Sequence, residues 1–276
     1  MPFPTLQSGG CRLSYRLDGP GRHDTPPLIM IQGVAAFGTS PNPQIEILQK
    51  YYDCLSFDNR GTGASQPVGA NLTIARMASD VLALMDHLGW DSAHVIGHSL
   101  GGLVALQLAL LAKDRVRSLA LLCSFARGAD ALRVTPALLW ILLRLRFGPH
   151  AVRRQAFLEL VLPPGAKPDD TEGLAARFSA ILGHDVADMP PLAAQQVAAM
   201  RTCDLTSRLS ELSGIPTLVI NGDQDPIARP DSGKAIAAAI AGARYVEIAG
   251  GSHAFPILEA DRCGALLLHH LRAADR

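Results

Sequence analysis

The sequence predicts an α/β protein, a mostly parallel sheet flanked by helices. Two observations predict it. Short, strongly apolar segments alternate with longer segments carrying apolar residues at helical spacing. Hydrophobic residues make up 48% of the 276 positions and charged residues only 18%, so a large buried core is expected and disorder is not.

The strands are expected in this order. Segments 5–7 and 11–17 pair as an edge hairpin around Gly9-Gly10. Residues 28–32 form a buried strand, entered through Pro26-Pro27 and left at Gly33. Further strands cover 54–57, 93–96, 118–123, 217–221 and 245–248. Ile74, Met77, Ala78, Val81, Leu84, Met85 and Leu88 mark a helix that Gly89 ends. Residues 100–112 are apolar almost all round, as in a buried helix. Asp231 or Ser232 is expected to cap an Ala-rich helix, and 257–271 to form the last one.

Between 126 and 204 this rhythm breaks. The stretch reads as several helices interrupted at Gly148-Pro149, Pro163-Pro164-Gly165 and Pro190-Pro191. The expected organisation is therefore a core of 1–125 and 205–276, with 126–204 inserted as a helical cap after the strand at 118–123.

Bulk properties narrow the function. Lys plus Arg and Asp plus Glu are both 25, so no basic excess points to nucleic acid and the expected partner is a small molecule. Five scattered cysteines without C-x-x-C spacing read as reduced, packed thiols rather than disulfides or a zinc site. No metal or cofactor is expected. With no signal peptide and no membrane-length apolar run visible, the expected location is the cytoplasm. Oligomeric state leaves no trace in the sequence.

The chemistry centres on Gly97-His98-Ser99-Leu100-Gly101, a G-x-S-x-G pattern between a strand and a helix. A serine on so sharp a turn adopts a strained backbone, and its neighbours two positions away must be small. The helix that follows aims its free N–H groups at developing negative charge. Ser99 is thus the candidate nucleophile; His98, directly before it, is read as packing or polar lining.

A serine hydroxyl needs a base, and the base needs an orienting acid. His253 follows the strand at 245–248, and Asp225 follows the strand at 217–221. Neighbouring parallel strands would bring both to the sheet edge that carries Ser99. Asp223 competes with Asp225 and reads better as a turn residue at the strand exit. For the oxyanion, one backbone N–H is expected from Leu100 and a second from the loop 33–38, at Val34. The run 138–143 reads first as cap-helix core, with Trp140 and Phe37 as candidate pocket walls. Arg133, Arg144 and Arg146 read as solvated helix charges, one of which could meet an acidic substrate group.

These motifs resemble the α/β-hydrolase superfamily, in the branch of small capped esterases, lactonases, thioesterases and C–C bond hydrolases. Asp58-Asn59-Arg60-Gly61-Thr62-Gly63-Ala64-Ser65 is similar to the family's D-x-R-G-x-G-x-S turn, which implies a structural role for Asp58 and Arg60. Gly222-Asp223-Gln224-Asp225 matches its G-x-x-D acid loop and supports Asp225. One departure is Gln32-Gly33 where most relatives carry His-Gly. The resemblance implies an α/β-hydrolase fold and hydrolysis of an ester, thioester or lactone of a small apolar substrate through an acyl-serine. C–C bond cleavage on the same triad, and a ligand-binding protein on a hydrolase scaffold, are the alternatives.

Overall fold

The computed structural model describes residues 2–21, 25–69, 72–131 and 135–276. Eight strands form one sheet: β1 (Thr5–Ser8), β2 (Cys11–Asp18), β3 (Leu28–Ile31), β4 (Cys54–Phe57), β5 (Ala93–His98), β6 (Val116–Leu122), β7 (Thr217–Gly222) and β8 (Arg244–Ile248). Their spatial order is β1-β2-β4-β3-β5-β6-β7-β8. The first two strands are antiparallel to their neighbours; from β4 to β8 every pairing is parallel. All residues of β3, β4 and β7 are buried. Strands covered on both faces read as continuous apolar runs, which is why their positions are legible in the sequence.

Helices cover the two faces. α1 (Pro43–Leu48) starts at Asn42, whose side chain accepts from the Gln44 and Ile45 N–H groups. α2 (Ile74–His87) is capped by Thr73 and buries the apolar stripe expected of it. α3 (Leu100–Leu111) is buried over most of its surface and lies under β5. Four helices stand between β6 and β7: α4 (Pro136–Phe147), α5 (His150–Val161), α6 (Thr171–Leu182) and α7 (Leu192–Arg201). The chain closes with α8 (Pro230–Ala239), the short α9 (Phe255–Leu258) and α10 (Ala260–Ala274). Among the described residues no helix is long and apolar enough to cross a membrane.

Most boundaries shift from expectation by a residue or two, and three of the differences have a visible cause or change an element. The strand placed at 118–123 begins at Val116 and ends at Leu122, because Cys123 turns out of the sheet with φ 48°. α8 starts at Pro230, a residue preset for the first helical position, so Arg229 rather than Asp231 or Ser232 occupies the cap. The last helical segment is two helices, broken at Glu259.

The insertion has its own small core, in which Phe157, Leu158, Val161, Ala175 and Phe178 meet Ile227 and Ala254 of the main body. The expected core role of 138–143 is overturned: of α4 only Leu138 is buried, while Leu139, Trp140, Leu142, Leu143 and Phe147 are exposed. α4 is the outermost layer and rests on α5, so one narrow side is covered. Arg144 pairs with Glu159 and Arg146 lies over the Phe147 ring; Arg133 lies outside the described residues.

The Asp58–Ser65 turn is a buried polar lattice. Asp58 accepts from the Thr39 and Ala64 N–H groups and the Thr39 hydroxyl. The Arg60–Asp80 pair is almost wholly buried, with Arg60 donating further to the Ser8 and Val68 carbonyls. Each buried charge here has hydrogen-bond partners, the condition under which such groups are tolerated.

Candidate active site

Ser99 stands where β5 ends and α3 begins, with φ 54° and ψ −119°. A non-glycine residue in that conformation costs about 1–3 kcal/mol unless its surroundings hold it there. Here they do. Its N–H donates to the Leu122 carbonyl at 2.9 Å, and its carbonyl accepts from the Gly102 N–H and the Ser124 hydroxyl, both at 2.9 Å. The glycine requirement is steric. A Cβ on Gly97 would lie 2.4 Å from the Gly101 carbonyl oxygen, and one on Gly101 would lie 2.1 Å from that of Ile31.

Two strand-end loops deliver the other candidates. Asp225, after β7, is buried; its Oδ1 accepts from the Ile227 and Ala228 N–H groups, both at 2.8 Å. Its Oδ2 meets His253 Nδ1 at 2.8 Å. The first oxygen is thus held by backbone and the second faces the imidazole. Asp223, two residues earlier, is exposed. The His253 loop is fixed by the insertion, because the Ala254 N–H donates to the Val161 carbonyl at 3.1 Å. His253 packs beside His98, ring centroids 5.1 Å apart, which sets it against the residue preceding Ser99. Among the described residues neither Ser99 Oγ nor His253 Nε2 has a hydrogen-bond partner. Such contacts are often long in unliganded sites and tighten when substrate arrives.

Beside Ser99 runs the loop after β3. A Cβ on Gly33 would come within 3.3 Å of Ser99 Cβ. The Val34 and Leu100 N–H groups donate to no acceptor among the described residues, so both remain free for an anion. The loop is tied to the insertion twice: Phe37 N–H donates to the Leu182 carbonyl at 2.9 Å, and Ala35 N–H to Gln196 Oε1 at 2.8 Å. Gln32 keeps its place below the loop, its carbonyl accepting from Asn59 Nδ2 at 3.1 Å.

Residues 26–260 match the family described as alpha/beta hydrolase fold. The chain belongs to that family. The hydrolase is 29% identical over 266 residues to a protein of Azorhizobium caulinodans named as a carbamate hydrolase, RutD, covering 96% of this chain and 97% of the relative. Among solved structures it is similar to a hydrolase from Pseudomonas aeruginosa PA01, with 31% identity, TM-score 0.77 and 97% of each chain covered. It is also similar to the enol-lactonase from Burkholderia xenovorans LB400, with 28% identity, TM-score 0.80, and coverage of 98% of this chain and 100% of that one.

Other polar groups of the hydrolase surround the site without completing it. His98 is held neutral, its pKa pushed down to about 3, first by burial and then by the neighbouring His253. Burial, then the Asp225 charge, pushes the Cys123 thiol well up, so it is no rival nucleophile. His98, Cys123 and His253 bring three potential ligand atoms within 4.8 Å of one another. The Cys123 thiol faces the Ser252 carbonyl, and His253 Nδ1 is bound to Asp225. Phe37 lies against the insertion, its ring 5.4 Å from that of His184. Trp140 departs from the expectation of a pocket wall: the residue is 61% exposed on α4, with the Arg144 guanidinium 5.9 Å from its ring centroid.

At the opposite end of the sheet the same residue types meet again. His94 Nδ1 lies 2.8 Å from Ser118 Oγ, and its Nε2 lies 2.9 Å from Asp275 Oδ1. Tyr52 donates to the second Asp275 oxygen at 2.8 Å. A groove of about 800 Å³ beside it is lined by Asp18, Asp53, Trp90, Arg117 and Asp275.

Two features escaped the sequence reading. Ser124, which props the Ser99 carbonyl, lies outside any motif. Gln196 left a signal: it is the one polar residue in the buried stripe Leu192, Ala193, Gln196, Ala199 and Met200 of α7.

Proposed function

We propose that the hydrolase cleaves an ester, thioester or lactone of a small, apolar substrate through an acyl-Ser99 intermediate. The observation that carries this reading is the Asp225–His253 bond, set beside the strained Ser99 turn with His253 Nε2 unengaged. The similarity to an enol-lactonase over nearly the whole chain supports a carboxylic ester, open or cyclic. The relative named as a carbamate hydrolase fits the same acyl chemistry at a carbonyl bearing nitrogen.

In this mechanism Ser99 Oγ adds to the substrate carbonyl carbon while its proton passes to His253 Nε2. The oxyanion that forms accepts from the Val34 and Leu100 N–H groups, with the N-terminus of α3 adding its field. Asp225, held by two backbone donors, fixes the imidazole tautomer and stabilises the imidazolium. The tetrahedral intermediate collapses, the C–O or C–S bond breaks, and His253 returns the proton to the leaving group. Water, deprotonated by His253, then adds to the acyl carbon. Collapse of this second intermediate frees the acid and restores the Ser99 hydroxyl. The unpaired thiols, four of the five buried, suit a reducing compartment such as the cytoplasm.

Fluorophosphonate labelling tests the reading. The expected result is covalent modification at Ser99, with a burst of p-nitrophenol from p-nitrophenyl butyrate that Ser99→Ala abolishes. A wild-type protein that hydrolyses the ester but leaves Ser99 unlabelled overturns it.

A further inference from the structure

α4 is apolar around most of its circumference, the pattern of a helix covered on both sides, yet α5 alone packs closely against it. Leu139, Leu143 and Phe147 recur at every fourth position, and Trp140 and Leu142 flank that row, so all five share one face. That face is the open one: Phe147 is 74% exposed and Leu139 51%. Eleven large apolar side chains are exposed among the described residues, and five of them are these, while the other six are scattered along the chain. A single exposed leucine needs no explanation, whereas a contiguous apolar face marks a surface that something covers.

Charge narrows the occupant. The whole chain is neutral, with 25 basic and 25 acidic side chains, but between Thr135 and Leu158 it carries four arginines, one histidine and no acid. Arg144, Arg153 and Arg154 are paired with Glu159, Asp188 and Asp185. Arg146 is in no ion pair among the described residues, and its guanidinium lies on the apolar face, 5.2 Å from the Phe147 ring centroid. A second copy of the chain is poor cover for this face. Across a twofold axis the face would meet itself, and it offers no carboxylate to take Arg146. It is also small: a twelve-residue helix is about 18 Å long, whereas a stable dimer buries roughly 800 Å² per partner. A phospholipid surface meets both conditions. Its headgroup–acyl boundary takes leucine, tryptophan and phenylalanine side chains, and its phosphates take the guanidinium at the rim.

We propose that α4 is a membrane-contact element, lying flat on a phospholipid surface with Leu139, Trp140, Leu143 and Phe147 in the headgroup–acyl boundary and Arg146 against headgroup phosphate. At about 18 Å the helix runs along the surface and does not cross the roughly 30 Å hydrocarbon core. The contact belongs to the outer side of the insertion and holds whichever residue performs the hydrolysis. Phosphatidylglycerol in the surface strengthens it, because Arg146 has no counter-charge of its own.

Co-sedimentation with vesicles tests it, using phosphatidylcholine alone and an equal mixture of phosphatidylcholine and phosphatidylglycerol. The wild type is expected to sediment with both, and more tightly with the mixture. Trp140→Ser combined with Phe147→Ser is expected to weaken binding at least about tenfold, with circular dichroism unchanged because both side chains are exposed. Arg146→Gln is expected to weaken binding to the mixture about fivefold. The chain has two tryptophans, so Trp90→Phe leaves Trp140 as the one reporter. Its emission is expected to move to shorter wavelength on vesicles and to be quenched by bromine-labelled acyl chains. A wild type that stays in the supernatant with both vesicles overturns the proposal. So does binding that survives the double substitution with Trp140 unquenched, which would place the lipid contact elsewhere. A wild type that ignores vesicles but forms a dimer in sedimentation velocity, lost in the double variant, overturns it in favour of a second copy. Equal binding of Arg146→Gln and wild type to the mixture overturns the headgroup contact.

Discussion

Among the described residues a serine, a histidine and an aspartate meet at each end of the sheet, and the two clusters are built differently. At the carboxyl end Ser99 sits on a strained turn at a helix N-terminus, and His253 binds Asp225 through Nδ1 with Nε2 unengaged. At the amino end Ser118 lies within a regular strand, and both nitrogens of His94 are consumed, one by Ser118 and one by Asp275. Ser118 is 1% exposed and His94 not at all, so a substrate carbonyl has no access to that hydroxyl. What distinguishes the two is the strained strand-to-helix turn that carries Ser99, not composition. The amino-end cluster instead joins α10 to the sheet by buried hydrogen bonds.

The comparison can be broken most directly by swapping the serines' fates. Ser99→Ala is expected to lower p-nitrophenyl ester turnover by at least about a thousandfold, leaving only binding and oxyanion effects. Ser118→Ala is expected to leave turnover unchanged. Turnover lost in Ser118→Ala with the fold intact by circular dichroism would erase the distinction.

The aspartates sharpen it. Asp225→Asn is expected to reduce kcat by about a thousand- to ten-thousandfold near neutral pH, with the unfolding midpoint nearly unmoved. Asp275→Ala is expected to do the reverse: turnover persists, while urea denaturation shows a loss of about 1–3 kcal/mol as His94 and Tyr52 lose their partner.

Acid tests burial at both ends, because His98 at the carboxyl end is also held down, to about 3. Burial holds His94 and His270 below the ordinary histidine value of 6.5, His270 at about 4, so the folded chain binds fewer protons than the unfolded one in that interval. Stability therefore falls as pH drops below 6.5 and continues to fall through about 4. Each such group contributes at most about 1.4 kcal/mol per pH unit. His270→Asn is expected to flatten the slope of unfolding free energy against pH over this window. A slope equal to the wild type's would show that the group does not titrate this way. The smallest effect is expected at the outer layer: Trp140→Ser should shift stability by less than about 0.5 kcal/mol and leave acyl preference untouched.

Much of this was legible in the sequence because the signals are local. Buried parallel strands write themselves as apolar runs, as 28–31 and 217–220 do, and the Ser99 turn announces itself through glycines whose absent side chains are forced by contacts under 2.5 Å. Asp225 and His253 could be named as candidates because each follows a readable strand. The outer helix was misjudged for the opposite reason. Its run 138–143 has the composition of a core, and composition cannot tell a helix pressed between layers from one lying on top of them. Gln196 was missed because its meaning is wholly tertiary: the Ala35 N–H that it binds is 161 positions away.

The ties between the insertion and the oxyanion loop bear on how this enzyme would respond to recombination. Val161 fixes the loop of the base, Leu182 and Gln196 fix the loop that faces Ser99, and all three belong to one inserted segment. A chimera that exchanged that segment for another family member's would change the grip on the loops beside Ser99 and His253. Grafts that preserve an acceptor for the Ala35 amide should retain speed while changing scope, and those that drop it should change both together.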